Sequence, residues 1–144
     1  MEATRRPPSN EAYGTVELRN RLRTAGLRAT LPRIEVLRRL TASSTPLSHA
    51  ELTKELVPLG FDRATVYRNL NDLVHAGLAT KFELGEHVWR FESRSAQNRH
   101  SHFLCNDCGD VLCLADADVE FPASEPAVVR DVHDVILRGR CASC

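Results

Sequence analysis

Much is missing from this 144-residue chain, and each absence excludes something. No run of about eighteen apolar residues occurs, so no segment is suited to span a membrane as a helix. The opening stretch MEATRRPPSNEAYG has no apolar core and does not read as a secretory signal. The first 104 residues hold no cysteine, and all five lie at or after Cys105. An odd number clustered so late does not make a disulfide framework, and the expected compartment is the reducing cytoplasm. No internal repeat or low-complexity tract stands out. GxSxG, HExxH and a phosphate-binding glycine loop are absent. The knuckle around Asn106 and Asp107 has no preceding proline, and Ser101 and Phe103 follow His100 and His102, unlike a zinc deaminase. An enzyme with a small-molecule substrate is not expected.

A net charge is also lacking, with 19 Lys+Arg against 19 Asp+Glu. That balance hides a division. Residues 1–85 carry 13 basic and 9 acidic side chains, a net of +4, while residues 86–144 carry 6 and 10, a net of −4. A basic half joined to an acidic, cysteine- and histidine-rich half suggests a polyanion binder fused to something else.

What is present in the basic half is helical grammar. Val16, Leu18, Leu22 and Ala25 form a stripe that stops at Gly26. LPRIEVLRRLTA reads as a second helix with Pro32 in its first turn. After a loop over 41–46, Ser48 and Glu51 make a capping-box pattern. DRATVYRNLNDLVHAG reads as a further helix with Asp62 as N-cap and Gly77 beyond its end. LATKFE and HVWRFE, separated by LGE, read as a hairpin. Helices followed by a hairpin are the order of a winged helix-turn-helix.

In TVYRNLNDL, Thr65, Arg68, Asn69 and Asp72 are expected opposite the apolar stripe of Val66, Leu70, Leu73 and Val74, with Tyr67 beside them. That assortment suits a recognition helix in the major groove of double-stranded DNA. Arg21, Arg23 and Arg28 upstream would add phosphate contacts or reach the minor groove. A solvated helix face is the competing explanation.

From Arg94 the grammar changes. SRSAQNR is linker-like, HFLC and DVLCL read as short strands around CNDCG, and VHDVILRGR reads as another strand. The expected domains are 1–93 and 94–144, and the expected class is α/β (α+β). Cys105-x-x-Cys108 and Cys141-x-x-Cys144 are matching pairs. Two such turns brought together complete a closed Cys₄ site for one structural Zn²⁺ per chain. A redox CxxC would not explain why both pairs match. His100 and His102, at i and i+2 on a strand, point to one face and need partners from elsewhere. Glu92, His87, Cys113, Glu120 and His133 are the candidates.

These residues resemble the ferric uptake regulator family of metal-responsive transcription factors. The resemblance runs from about Leu22 to Cys144 and rests on RATLPR, ATVYRNL, HSHFLCNDCG and the closing CASC. It implies a homodimeric regulator acting as a repressor, with an N-terminal winged helix-turn-helix domain on operator DNA and a small α/β C-terminal domain for dimerisation and metal binding. It further implies structural zinc on Cys105, Cys108, Cys141 and Cys144, DNA contacts from Tyr67 and Arg68, and a minor-groove contact from Arg28. Metal at an interdomain site would close the dimer into its DNA-binding shape.

The sensor site departs from the family pattern. Where the family has a histidine before the SxxE helix, this chain has Pro46, which cannot ligate, with His49 three residues away. The wing carboxylate corresponds to Glu92, the HxH pair is intact as His100 and His102, and the acid after CG is replaced by Cys113. A second family site would use Glu120 and His133, but Arg99 and Ser101 occupy its other positions, so that site is expected to be absent. Thiolate with imidazole favours Zn²⁺ over Fe²⁺ or Mn²⁺. Zinc sensing therefore ranks first, ahead of iron or peroxide sensing with Cys113 as a redox thiol, and of a site without metal response. A non-catalytic zinc-ribbon interaction module is the rival outside DNA binding.

Overall fold

In the computed structural model, residues 13–85, 87–94, 101–114 and 135–144 are described. They fall into two compact units, one holding the described residues up to 94 and the other those from 101 onward.

The first unit begins with α1 (Thr15–Thr24), whose buried Leu18 and Leu22 lie one turn apart. Its end falls where Gly26 adopts φ 82°, a left-handed turn that glycine accepts without strain. α2 (Leu31–Ala42) carries Pro32 in its first turn, where no backbone N–H is required. A two-residue strand β1 (Leu47–Ser48) precedes α3 (His49–Leu56). The expected capping box is present in both directions. The Glu51 N–H donates to Ser48 Oγ at 3.2 Å, and the Ser48 N–H donates to Glu51 Oε2 at 2.7 Å. A 3-10 turn over Val57–Leu59 leads to α4 (Arg63–His75). β2 (Ala79–Glu83) and β3 (Trp89–Ser93) then form the hairpin, and the sheet order is β1-β3-β2. Leu18, Leu22, Leu37, Leu52, Leu70, Leu73 and Phe91 are among the residues of one continuous core. Burial of side chains of this size, at roughly 1.5–3 kcal/mol each, is what holds the helices to the sheet.

The second unit has a three-stranded sheet of order β5-β4-β6: β4 (Ser101–Cys105), β5 (Val111–Leu114) and β6 (Ile136–Gly139). β4 and β5 are antiparallel, whereas β6 runs parallel to β4 with Cys105 opposite Gly139. Residues 115–134, with Glu120 and His133, lie outside the described residues, as do Arg99 and His100. Among the described residues no helix is long and apolar enough to cross a membrane.

Candidate metal centre and nucleic-acid interface

Chain geometry brings the two CxxC pairs of the second unit together. The strand β4 ends at Cys105, and a tight turn with Gly109 at φ 75° returns the chain to β5. The Gly109 N–H closes that turn on the Cys105 carbonyl at 3.0 Å. β6 delivers the other pair. Its Gly139 lies beside Cys105, and a Cβ there would meet the Phe103 ring at 3.2 Å, so the two strands approach closely. The Asn106 N–H donates to the Gly139 carbonyl at 2.7 Å, and Arg140 pairs with Asp107 at 2.6 Å. Both bonds hold the C-terminal segment against the knuckle.

The ligand atoms of Cys105, Cys108, Cys141 and Cys144 all lie within 4.8 Å of one another. Sulfur–sulfur separations are 3.8 Å for Cys105–Cys144, 3.7 Å for Cys108–Cys141 and 3.4 Å for Cys141–Cys144. A disulfide requires about 2.05 Å. A tetrahedron of metal–sulfur bonds of about 2.3 Å has edges of about 3.8 Å. The thiols therefore stand at metal-ligand spacing, and this cluster can hold a metal ion.

Electrostatics inside the cluster agree. The backbone N–H groups of Cys108 and Cys141 point at Cys105 and hold its thiol down to about 6. The second of these is a hydrogen bond of 3.3 Å. Cys144 is pushed far up by hydrogen bonding to the Cys141 and Cys108 thiols. At Cys108 the Asp110 N–H lowers the thiol, but hydrogen bonding to Cys105 and burial outweigh it and the net direction is up. Loss of the Cys105 proton is thus favoured, while Cys108 and Cys144 hold theirs. Such a cluster exchanges protons for metal.

His102 and Cys113 are direct cross-strand partners on β4 and β5, and both are buried. Cross-strand partners share a face, with Cβ atoms about 4.5–5.5 Å apart. Glu92 is half-buried on β3 of the first unit. His87, one of the candidate partners for the histidine pair, is fully exposed beside Glu83 at 3.5 Å.

The first unit presents the other surface. On α4, Tyr67 is 45 % exposed, Arg68 is exposed and Thr65 is half-buried. The Asp62 carboxylate caps the helix by accepting from the Thr65 N–H and the Thr65 hydroxyl, each at 2.8 Å. The Arg68 Nη2 then donates to Thr65 Oγ1 at 3.3 Å. Asn69 does not belong to this surface. It is only 7 % exposed, and its Nδ2 donates to the Thr65 carbonyl at 2.9 Å, so its expected DNA contact is corrected to an internal helix bond. The spacing held the signal, since Asn69 lies three residues after Val66 and next to Leu70. Asp72 is likewise engaged, by Arg33 at 2.7 Å.

Sequence reasoning left His49 open as a replacement ligand for the missing histidine near Pro46. Its Nε2 lies 2.9 Å from the Arg63 carbonyl, and its ring meets Tyr67 edge-on with centroids 5.5 Å apart. His49 is occupied at the start of α4, and Pro46 is buried. Arg28 stands exposed in the loop between α1 and α2.

Comparison with known proteins follows the same outline. A model of the Ferric uptake regulator family matches residues 24–136. The chain is 38% identical over 131 residues to the ferric uptake regulation protein of Vibrio cholerae serotype O1, covering 85% of each. It is similar to the crystal structure of the Vibrio cholerae ferric uptake regulator, with TM-score 0.67 and 31% identity over 85% of this chain and 98% of that one. It is also similar to a ferric uptake regulator from Pseudomonas aeruginosa solved with manganese, with TM-score 0.66 and 29% identity over 85% and 96%.

Proposed function

This chain belongs to the ferric uptake regulator family, and from that premise we propose that it is a homodimeric, metal-responsive repressor of transcription on operator DNA. The observation that carries the reading is the pairing of two features in one chain. A capped α4 offers Tyr67 and Arg68 to solvent in the helical unit, and a metal-ligand cluster lies in the other. In this reading residues 1–93 bind DNA and residues 94–144 dimerise and bind metal. Arg68 reads base edges, Tyr67 and Thr65 support it on thymine methyl or phosphate, and Arg28 enters the minor groove. Such a protein works in the cytoplasm and is a regulator rather than an enzyme.

The four-cysteine cluster is assigned to one structural Zn²⁺, because four thiolates at tetrahedral spacing leave no open position for chemistry. When bound, zinc supplies the positive charge that lets all four thiols deprotonate together. The regulatory ligands are assigned to Glu92, His100, His102 and Cys113, of which Glu92 comes from the first unit. Drawing ligands from both units is how metal would favour one DNA-binding arrangement. Burial of Cys113 beside His102 supports a ligand role over that of an exposed oxidisable thiol. Thiolate and imidazole together favour Zn²⁺ over Fe²⁺ as the signal.

The test is a metal titration of operator binding, starting from protein that carries one zinc per chain, with Zn²⁺, Fe²⁺ and Mn²⁺ added anaerobically. A second equivalent of zinc is expected to switch binding on, and Cys113→Ser is expected to abolish the switch while leaving the first zinc in place. Full binding with one zinc and indifference to more would remove the sensor assignment. Arg68→Ala is expected to weaken operator binding by about 1–3 kcal/mol. Unchanged binding in that variant would remove α4 as the reading element.

A further inference from the structure

Between the exposed Arg28 and the exposed face of α4 lies a side chain that serves neither metal nor packing in any ordinary way. Arg33 is the third residue of α2. Its Nη2 donates to Asp72 Oδ2 on α4 at 2.7 Å, and its Nη1 donates to the backbone carbonyl of Arg28 at 3.1 Å. The same Arg28 carbonyl accepts the Thr30 N–H at 2.9 Å. Arg33 Nε is buried without a hydrogen-bond partner. A partly buried pair with a desolvated, unmatched Nε is a poor device for stability, since an apolar side chain of similar size would serve as well. Its geometry serves a different purpose.

From this arrangement we infer that Arg33 is a positioning residue that fixes the spacing between the two elements that read DNA. Asp72 lies one turn beyond Arg68 on α4, so its carboxylate reports the rotation and register of that helix. The Arg28 carbonyl reports the height of the loop that carries the Arg28 side chain. The planar guanidinium joins them with two fixed donors, which an ammonium on a flexible stem does not reproduce. If α4 turns, the Asp72 bond breaks. If the loop slides, the Arg28 bond breaks. A protein that places one arginine in the major groove and another in the adjacent minor groove needs that separation fixed before it meets the duplex, because ordering it afterwards costs affinity.

The inference rests on the proposed reading of Arg28 and Arg68 as DNA contacts, and the experiment separates the two. Fluorescence anisotropy with an operator-type duplex is run on the full-length, metal-loaded protein. The variants are Arg28→Ala, Arg68→Ala, Arg33→Lys, Asp72→Asn and the double variant Arg28→Ala/Arg33→Lys, each with its thermal midpoint. Arg33→Lys keeps the charge and is expected to lower affinity about tenfold. Most of that loss should vanish in the Arg28→Ala background, because the two residues act through one contact. Asp72→Asn cuts the same bridge from the other side and is expected to move affinity in the same direction, so it answers the question even if Arg33→Lys fails to fold. Wild-type affinity in Arg33→Lys and Asp72→Asn, with Arg28→Ala weakened, would overturn the inference and leave the reading intact. An equal loss from Arg33→Lys in both backgrounds would also overturn it, since Arg33 would then act on its own. Undiminished binding in both Arg28→Ala and Arg68→Ala would remove the reading beneath it and the inference with it.

Discussion

The two units of this chain are held together by different physics. The first packs Leu18, Leu22, Ile34, Leu37, Leu52, Leu70 and Leu73 with Phe91 in one core, and its polar groups at helix starts are satisfied by Ser48, Glu51 and Asp62. Among the described residues of the second, the buried apolar side chains are Val111 and two cysteines, Cys105 and Cys113. Leu137 on β6 is 39 % exposed. The described strands of this sheet alone bury little hydrocarbon, and a small sheet of that kind gains from a further source of stability. Four sulfurs at tetrahedral spacing are suited to supply it. The basic unit has a continuous leucine-rich core, whereas the described part of the acidic unit has a four-cysteine cluster that could hold a metal ion.

Stripping metal from the four-cysteine cluster proposed to hold it is the sharpest way to break that comparison. Structural zinc contributes an apparent stabilisation of about 10–16 kcal/mol in small stapled folds, far more than any single side chain here. Chelation under reducing conditions, or Cys141→Ser, is expected to unfold the second unit and leave the first standing. Hydrogen exchange read by mass spectrometry should show residues 101–144 exchanging rapidly while α2 and α4 keep their protection. Loss of protection in α2 and α4 at the same time would mean that the first unit depends on the second.

The reciprocal change is Leu70→Ala. Leu70 is fully buried on α4, and its truncation is expected to cost about 2–5 kcal/mol in the first unit alone. The thermal midpoint of the helical signal should fall while metal content per chain, read by elemental analysis, stays constant. A matching loss of metal would show that the two units fold as one.

Legibility in the sequence divides along the same line. α2 is readable to the residue, because Pro32 opens it and the apolar stripe of Ile34, Leu37 and Leu40 has helical period. The capping box and the Asp62 cap are readable because they need particular atoms at a fixed offset. The matching CxxC pairs predict a four-sulfur cluster, since ligand spacing is set by the metal and not by the fold. β1 is not readable, because it consists of Leu47 and the helix cap Ser48 alone, too short to carry an alternation. The parallel placement of β6 beside β4 is not readable either, because it depends on a long crossover and not on local pattern. Asn69 is misplaced when the polar residues of α4 are treated as one face, because helical geometry puts position 69 beside the stripe. Arg33 and its bridge are invisible for a third reason: a bond between Arg33 and Asp72 joins residues 39 apart and leaves no mark in either neighbourhood.

A smaller change tests how local the first unit's polar devices are. Ser48→Ala removes one half of the capping box and is expected to cost about 1 kcal/mol, read as a shift in the thermal midpoint. Glu51→Gln keeps a side-chain acceptor for the Ser48 N–H, the other half of the box, and should cost less. A larger loss from Glu51→Gln than from Ser48→Ala would mean that the charge of Glu51, and not its hydrogen bond, matters at this helix start.

Acid provides the finest version of the test. The Asp62 carboxyl is held below its ordinary value of 3.8, first by the Thr65 N–H and then by the Thr65 hydroxyl. A carboxylate whose folded value is depressed contributes stability above the unfolded value and loses it as pH falls through the folded one. Wild type and Asp62→Ala are therefore expected to differ in thermal midpoint above pH 3.8 and to converge below it. Asp62→Asn keeps a capping oxygen but cannot titrate, so its midpoint should lack that contribution to the acid dependence. The carboxylate is exposed and accepts its hydrogen bonds from Thr65 in the first turn of α4, so its protonation should fray residues 63–66 and leave the leucine core in place. Cooperative loss of the whole helical signal on protonation of this one group would mean that the cap, and not the core, limits the stability of the first unit.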